Sequence, residues 1–108
     1  MKKLHDQYLN NFINQYLEII KQIYNPEALW LFGSRVTGQP KEESDIDLIL
    51  VSENFRGRKF IYRMGDFLKT IDFPKHIDAL CYTPEEFKEK SKKIGIVKEA
   101  ITRGEKVI

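Results

Sequence analysis

Leu9, Phe12, Ile13, Tyr16, Leu17, Ile20, Ile23 and Tyr24 recur at intervals of three and four, the period that gives a helix one broad apolar face. Asn25-Pro26 ends that helix, because the residue before a proline avoids helical backbone angles. Ala28 to Phe32 is then an unbroken apolar run of strand length, the pattern of a strand covered on both faces. Gly33-Ser34 closes it. Residues 35 to 44, with Gly38 and Pro40, predict a turn and exposed loop with room for one helical turn at its start. Ile46 to Val51 is a second apolar strand.

Phe60, Ile61, Met64, Phe67, Leu68 and Ile71 space as a second amphipathic helix, ending before Phe73-Pro74. His76 to Tyr82 predicts a third strand in which one acid, Asp78, sits among Ile77, Ala79 and Leu80. Thr83-Pro84-Glu85-Glu86 is a helix start: Thr83 caps, Pro84 suits the first helical position, and Glu86 completes a capping box. Ile94, Val97, Ala100 and Ile101 mark a last helical face, with Gly95 breaking it from the helix before. Gly104 ends that helix, and Val107-Ile108 would add a short edge strand. The pattern predicts an α/β (α+β) domain over residues 1–108: a mixed sheet of three to four strands with helices packed on it.

Composition narrows the class. A chain of 108 residues reads as one domain, able to bury about 65% of its unfolded surface. Eighteen Lys and Arg against sixteen Asp and Glu leave +2, too weak a balance to argue for direct binding of duplex nucleic acid. The single cysteine, Cys81, rules out an internal disulfide and suits a reducing cytoplasm. Met1-Lys2-Lys3 leads into an amphipathic segment rather than an apolar signal core. No apolar run approaches the roughly 20 residues that span a bilayer. The expectation is a soluble cytoplasmic domain with no membrane partner.

Asp45 and Asp47 open the second strand at alternate positions. Residues i and i+2 of a strand point to one face, about 6.6 Å apart at about 3.3 Å rise per residue. A core has no use for two acids there, since burying unpaired charge is costly. If the first two strands run antiparallel, Gly33-Ser34 and the two acids meet at one edge. If the third runs parallel to the second, Asp78 joins them, and residues 52 to 75 supply the long crossover that a parallel neighbour needs. Three carboxylates at one rim would repel each other without divalent cations, and hard oxygen ligands favour Mg²⁺ or Mn²⁺. Gly33 would let backbone approach phosphate closely, Ser34 offers a hydroxyl, and Arg35 either neutralises a phosphate or forms a surface ion pair. Asp72 is an alternative to Asp78 if the strand begins earlier.

Gly33-Ser34, ten intervening residues, Asp45-Ile46-Asp47 and a strand-borne Asp78 together resemble the nucleotidyltransferase superfamily that includes DNA polymerase beta. The short length is most similar to the minimal nucleotidyltransferases, which are encoded beside HEPN-domain proteins. The resemblance implies that Gly33 and Ser34 hold the triphosphate of a nucleotide, usually ATP. It implies that Asp45 and Asp47 bind two metal ions, and that Asp78 completes one metal site and helps activate the attacking hydroxyl. It further implies transfer of AMP from ATP to a tyrosine of a HEPN-domain RNase toxin, the activity of a type VII toxin–antitoxin antitoxin. A partner protein, or a second copy in a homo-oligomer, would then hold the acceptor side.

Other readings compete. A non-catalytic module could neutralise a partner by docking, or the enzyme could act on RNA or a small molecule. Arg56, Arg58, Lys59 and Arg63 could steer a triphosphate, but a solvated helix face is the simpler expectation. Lys88, Lys90, Lys92 and Lys93 alternate with Glu85, Glu86 and Glu89 as another solvated face. His5 and His76 have no ligand-like spacing, and Cys81 and Trp30 read as core.

Overall fold

Asp6 starts the first helix, α1 (Gln7–Tyr24), its carboxylate accepting a hydrogen bond from the Leu9 backbone N–H at 3.1 Å. The computed structural model describes residues 4–38 and 40–108. Met1, Lys2 and Lys3, which entered the reading of the N-terminus, lie outside the described residues, as does Gln39 of the 35–44 loop. Asn25 ends α1 in the left-handed region, at φ 43°, a conformation that asparagine tolerates better than most residues. Leu9, Phe12, Ile13, Tyr16 and Ile20 are buried as the period predicts, whereas Ile23, in the last turn, is 45% exposed.

Four strands follow, β1 (Ala28–Phe32), β2 (Ile46–Val51), β3 (Ile77–Tyr82) and β4 (Glu105–Lys106), in the spatial order β3-β2-β1-β4. β1 runs antiparallel to β2, and β2 runs parallel to β3. A 3-10 turn (Glu53–Phe55) and helix α3 (Phe60–Leu68) make the crossover between the parallel pair. The predicted helix reached Ile71. Instead Thr70 and Ile71 donate their backbone N–H groups three residues back, to Phe67 and Leu68, in a tightened final turn. The edge strand also differs. β4 is Glu105–Lys106, paired antiparallel with Trp30 and Leu31, while Val107 and Ile108 pack against the core and continue only through bonds to Leu29.

Both faces of the sheet are covered, which is why β1 and β2 read as continuous apolar runs. Leu29, Leu31, Leu48, Leu50, Ala79 and Cys81 meet α1 and α3, with Phe12, Ile20 and Phe67 fully enclosed. Ile49, Val51 and Tyr82 turn the other way, against Val97 and Ala100 of α5 (Ile96–Arg103). Each large apolar side chain so buried contributes about 1.5–3 kcal/mol. Trp30 lies at the margin of the second layer, only half-buried. Burial pushes the Cys81 thiol up to about 12, so it is a packing group. Helix α4 (Pro84–Ser91) begins with the predicted capping box, in which Thr83 and Glu86 exchange side-chain-to-backbone bonds.

Arg63 corrects the expectation of a solvated basic face. Its guanidinium is 5% exposed and donates to the Arg58 and Cys81 carbonyls and to the Glu86 carboxylate. Burial would raise the Glu86 carboxyl, but the bonds from Arg63 and Thr83 outweigh it and hold it below its usual range. Arg56 pairs with Glu53 and Glu85, and Arg58 with Asp66, on the surface. Arg56 and Arg63 thereby tie the crossover to α4, while Arg58 pairs within the crossover. Among the described residues no helix is long and apolar enough to cross a membrane.

Candidate active site

Gly33 stands where β1 ends and the short helix α2 (Ser34–Thr37) begins. Its φ is +85°, a left-handed-side backbone angle that glycine alone takes without strain. Space forces the same choice. A Cβ on Gly33 would lie 2.2 Å from Oδ2 of Asp47, so the missing side chain is where the Asp47 carboxylate sits. Gly38 closes α2, donating its backbone N–H to the Ser34 carbonyl at 3.1 Å.

The sheet register brings the acids to this turn. Phe32 is the antiparallel partner of Asp47, and Asp47 is the parallel partner of Asp78. Adjacent strands lie about 4.8 Å apart, and paired residues share a face. Ile46 and Leu48 enter the α1/α3 layer and Ile49 and Val51 the α5 layer, so alternation turns Asp47 toward the α5 side. Asp78 alternates with Ile77 and Ala79 in the same way. Asp45 precedes Asp47 by two residues, just before the strand begins.

Electrostatics agree with this convergence. The Asp47 carboxyl is raised from 3.8 to about 6 by burial, then by the charges of Asp78 and Asp45, with His76 acting in the opposite sense. Asp72 is not the third acid of this rim. Its backbone N–H donates to the Tyr16 hydroxyl, which in turn donates to the Asp72 carbonyl, on the α1 side of the sheet.

Arg35 is another correction. It is neither a surface ion pair nor a free phosphate ligand. The guanidinium is 5% exposed, pairs with Asp6 at 3.0 Å and donates to the carbonyls of Ser44, Lys41 and Glu42. Arg35 thereby fastens the 35–44 loop, and the two acids that follow it, to the start of α1. Breaking a buried pair costs about 3–5 kcal/mol. Arg35→Ala is therefore expected to lower the thermal midpoint strongly, and a melt within a few degrees of wild type would contradict this role.

Two features escaped the sequence. His76 places Nδ1 3.4 Å from Oδ1 of Asp45, and its carbonyl accepts from the Ile46 N–H at 2.9 Å. The available signal was its position two residues before Asp78, on the same strand face. A cavity of about 330 Å³ also opens beside the turn, lined by Phe32, Gly33, Ser34 and Thr37 on one wall and by Ile96, Glu99 and Arg103 of α5 on the other. The i, i+3, i+7 spacing marks these three as one helical face, but nothing in the sequence joined that face to Gly33.

Residues 13–102 match the family model of the nucleotidyltransferase domain. The chain belongs to that family. MntA of Haemophilus influenzae, named a probable protein adenylyltransferase, is 34% identical over 84 residues, covering 73% of this chain and 71% of that protein. A protein of Methanocaldococcus jannaschii assigned as a protein adenylyltransferase is 30% identical over 77 residues, covering 57% of this chain and about half, 52%, of its own length. A crystal structure assigned as a nucleotidyltransferase superposes with TM-score 0.54 at 26% identity, over 76% of this chain and 89% of that one. Another, from Sulfolobus solfataricus, shares the fold with TM-score 0.57 at 21% identity, over 73% of this chain and 70% of that one.

The nucleotidyltransferase rim suits a hard divalent cation by its chemistry: three carboxylates, of which Asp47 is raised first by burial and then by the like charges of Asp78 and Asp45, with the His76 ring beside Asp45. The acids are not drawn into a closed cage. Among the described residues no group of three His, Cys, Asp or Glu side chains forms a ready metal site. Substrate phosphate oxygens commonly complete such sites.

Proposed function

We propose that this nucleotidyltransferase moves AMP from ATP to a protein hydroxyl in the cytoplasm, in a Mg²⁺-dependent reaction. The acceptor we infer is a tyrosine of a HEPN-domain RNase toxin, so that the chain acts as the antitoxin of the pair. One observation carries the chemistry: Asp45, Asp47 and Asp78 face one rim beside the Gly33-Ser34 turn. The names of two relatives as protein adenylyltransferases support the acceptor class.

Gly33 and Ser34, which line the cavity next to the Asp47 carboxylate, receive the triphosphate. Asp45 and Asp47, with Asp78, would hold divalent cations that neutralise the phosphate charge and polarise the attacked phosphoryl group. The tyrosine oxygen attacks the α-phosphorus, the bond from that phosphorus to the bridging oxygen of the β-phosphate breaks, and pyrophosphate departs with the electron pair. Asp78, open to solvent beside Asp47, takes the hydroxyl proton in this reading.

The test incubates the protein with ATP labelled at its α-phosphate, Mg²⁺ and the HEPN-domain protein encoded beside it. Label on a tyrosine of that protein, lost with Asp45→Asn, is the expected result. Label on RNA or a small hydroxyl compound would reassign the acceptor. Neutralisation of the toxin without any label, undiminished in Asp45→Asn, would make the chain a docking module.

A further inference from the structure

The cavity at Gly33 and Ser34 lies next to the Asp47 carboxylate, and Arg35, the cation nearest in sequence to Ser34, is committed to the 35–44 loop. Helix α5 supplies another from the opposite wall. Arg103 lines the same cavity as Gly33 and Ser34. Its side chain is 69% exposed and its contact with Glu99 is long, 3.8 Å. An exposed pair of this kind is worth little, so the guanidinium is held in reserve at small cost.

The position of Arg103 is closely determined, although its side chain is free to turn. The next residue, Gly104, crosses β1 so tightly that a Cβ there would lie 2.5 Å from the Leu31 carbonyl and 3.2 Å from Cβ of Phe32. The end of α5 is thereby clamped to the strand that delivers the Gly33 turn. Ala100, one turn earlier and completely buried, anchors the helix against the sheet. A planar guanidinium matches phosphate oxygens in a bidentate geometry that a lysine lacks.

We propose that Arg103 is a nucleotide-binding residue that exchanges Glu99 for the β- and γ-phosphates of the bound triphosphate. Glu99 is the weak, exposed counter-ion that the phosphates displace. This rests on the nucleotidyltransferase site described above and extends it to a helix outside the Gly-Ser and aspartate pattern.

The test measures binding of an ATP analogue with a methylene bridge between the α- and β-phosphorus, and of AMP, each with Mg²⁺. Arg103→Ala is expected to weaken the analogue by about 10–100-fold, the usual effect of losing charge-assisted bonds, and to leave AMP binding unchanged. Arg103→Lys should recover part of the loss, and Glu99→Gln should tighten the analogue by releasing the arginine. If the wild-type protein binds the analogue and Arg103→Ala binds it equally well, the inference falls and the site reading stands. Equal weakening of AMP and analogue would make Arg103 structural and also overturn it. If the wild-type protein binds no analogue at all, the site reading falls and takes this inference with it.

Discussion

Replacing Asp47 with asparagine is expected to reduce nucleotidyl transfer by about 1,000-fold, the equivalent of about 4 kcal/mol, and yet to stabilise the metal-free protein at neutral pH. The two effects share one cause. Asp47 is held among Asp45, Asp78 and the backbone of Gly33, and burial with like charge raises its carboxyl from 3.8 to about 6. An acid raised in the folded state binds its proton more tightly there than in the unfolded chain. Its contribution to stability therefore falls as pH rises from about 4 through about 6, and stays low above that.

A half-buried group feels solvent screening, so the full shift overstates the energy. About 1 kcal/mol is a reasonable gain for the asparagine variant at pH 7 after that discount, or roughly 4–8 °C in a domain of this size. At pH 4 the gain should vanish. Millimolar Mg²⁺ should raise the melting point of wild type more than that of the variant, because ligand binding stabilises the state that binds it. Thermal melts across pH, with and without metal, read all of this. An asparagine variant that melts like wild type at pH 7 would contradict the crowding of charge at this rim. Retained transfer would remove Asp47 from the reaction.

Gly33→Ala should do comparable damage to activity by a steric route. The new Cβ would arrive 2.2 Å from Oδ2 of Asp47 while the backbone stays at φ +85°. The backbone strain costs about 1–2 kcal/mol, and the carboxylate must leave the position that the register assigns it. A displacement near 1 Å at a reacting centre costs about 100-fold in rate, so kcat/KM is expected to fall at least that far. Gly38→Ala is the control. It has a similar φ of +93° but nothing within 4 Å of the added Cβ, so it should lose stability while keeping most of its activity. Equal losses in the two variants would show that strain in the α2 turn, rather than the room given to Asp47, decides the effect.

The pattern of apolar residues was enough to place α1, β1, β2, β3 and the Thr83 capping box, because each rests on local rules: a helical period, a run of strand length, a proline that stops a helix. The convergence of Gly33, Asp45, Asp47 and Asp78 was also legible. It was conditional on an antiparallel first pair and a parallel second pair, and the register supplies both; the long 52–75 connection permits the parallel one. The third strand begins one residue later than His76, at Ile77, and two further ends were misplaced, Ile71 and the edge strand at Val107-Ile108, where apolar residues pack on the core without regular backbone.

Tertiary structure decided the cations. Arg35 and Arg63 look like ordinary surface charges in the sequence, and both are buried because carbonyls and carboxylates far along the chain, at Ser44 and Asp6 or at Cys81 and Glu86, gather around them. Arg103 and Glu99 meet the Gly33 turn only because α5 packs on the face of the sheet toward which Asp47 points. Helical spacing defines a face of a helix, but only packing chooses what that face looks at.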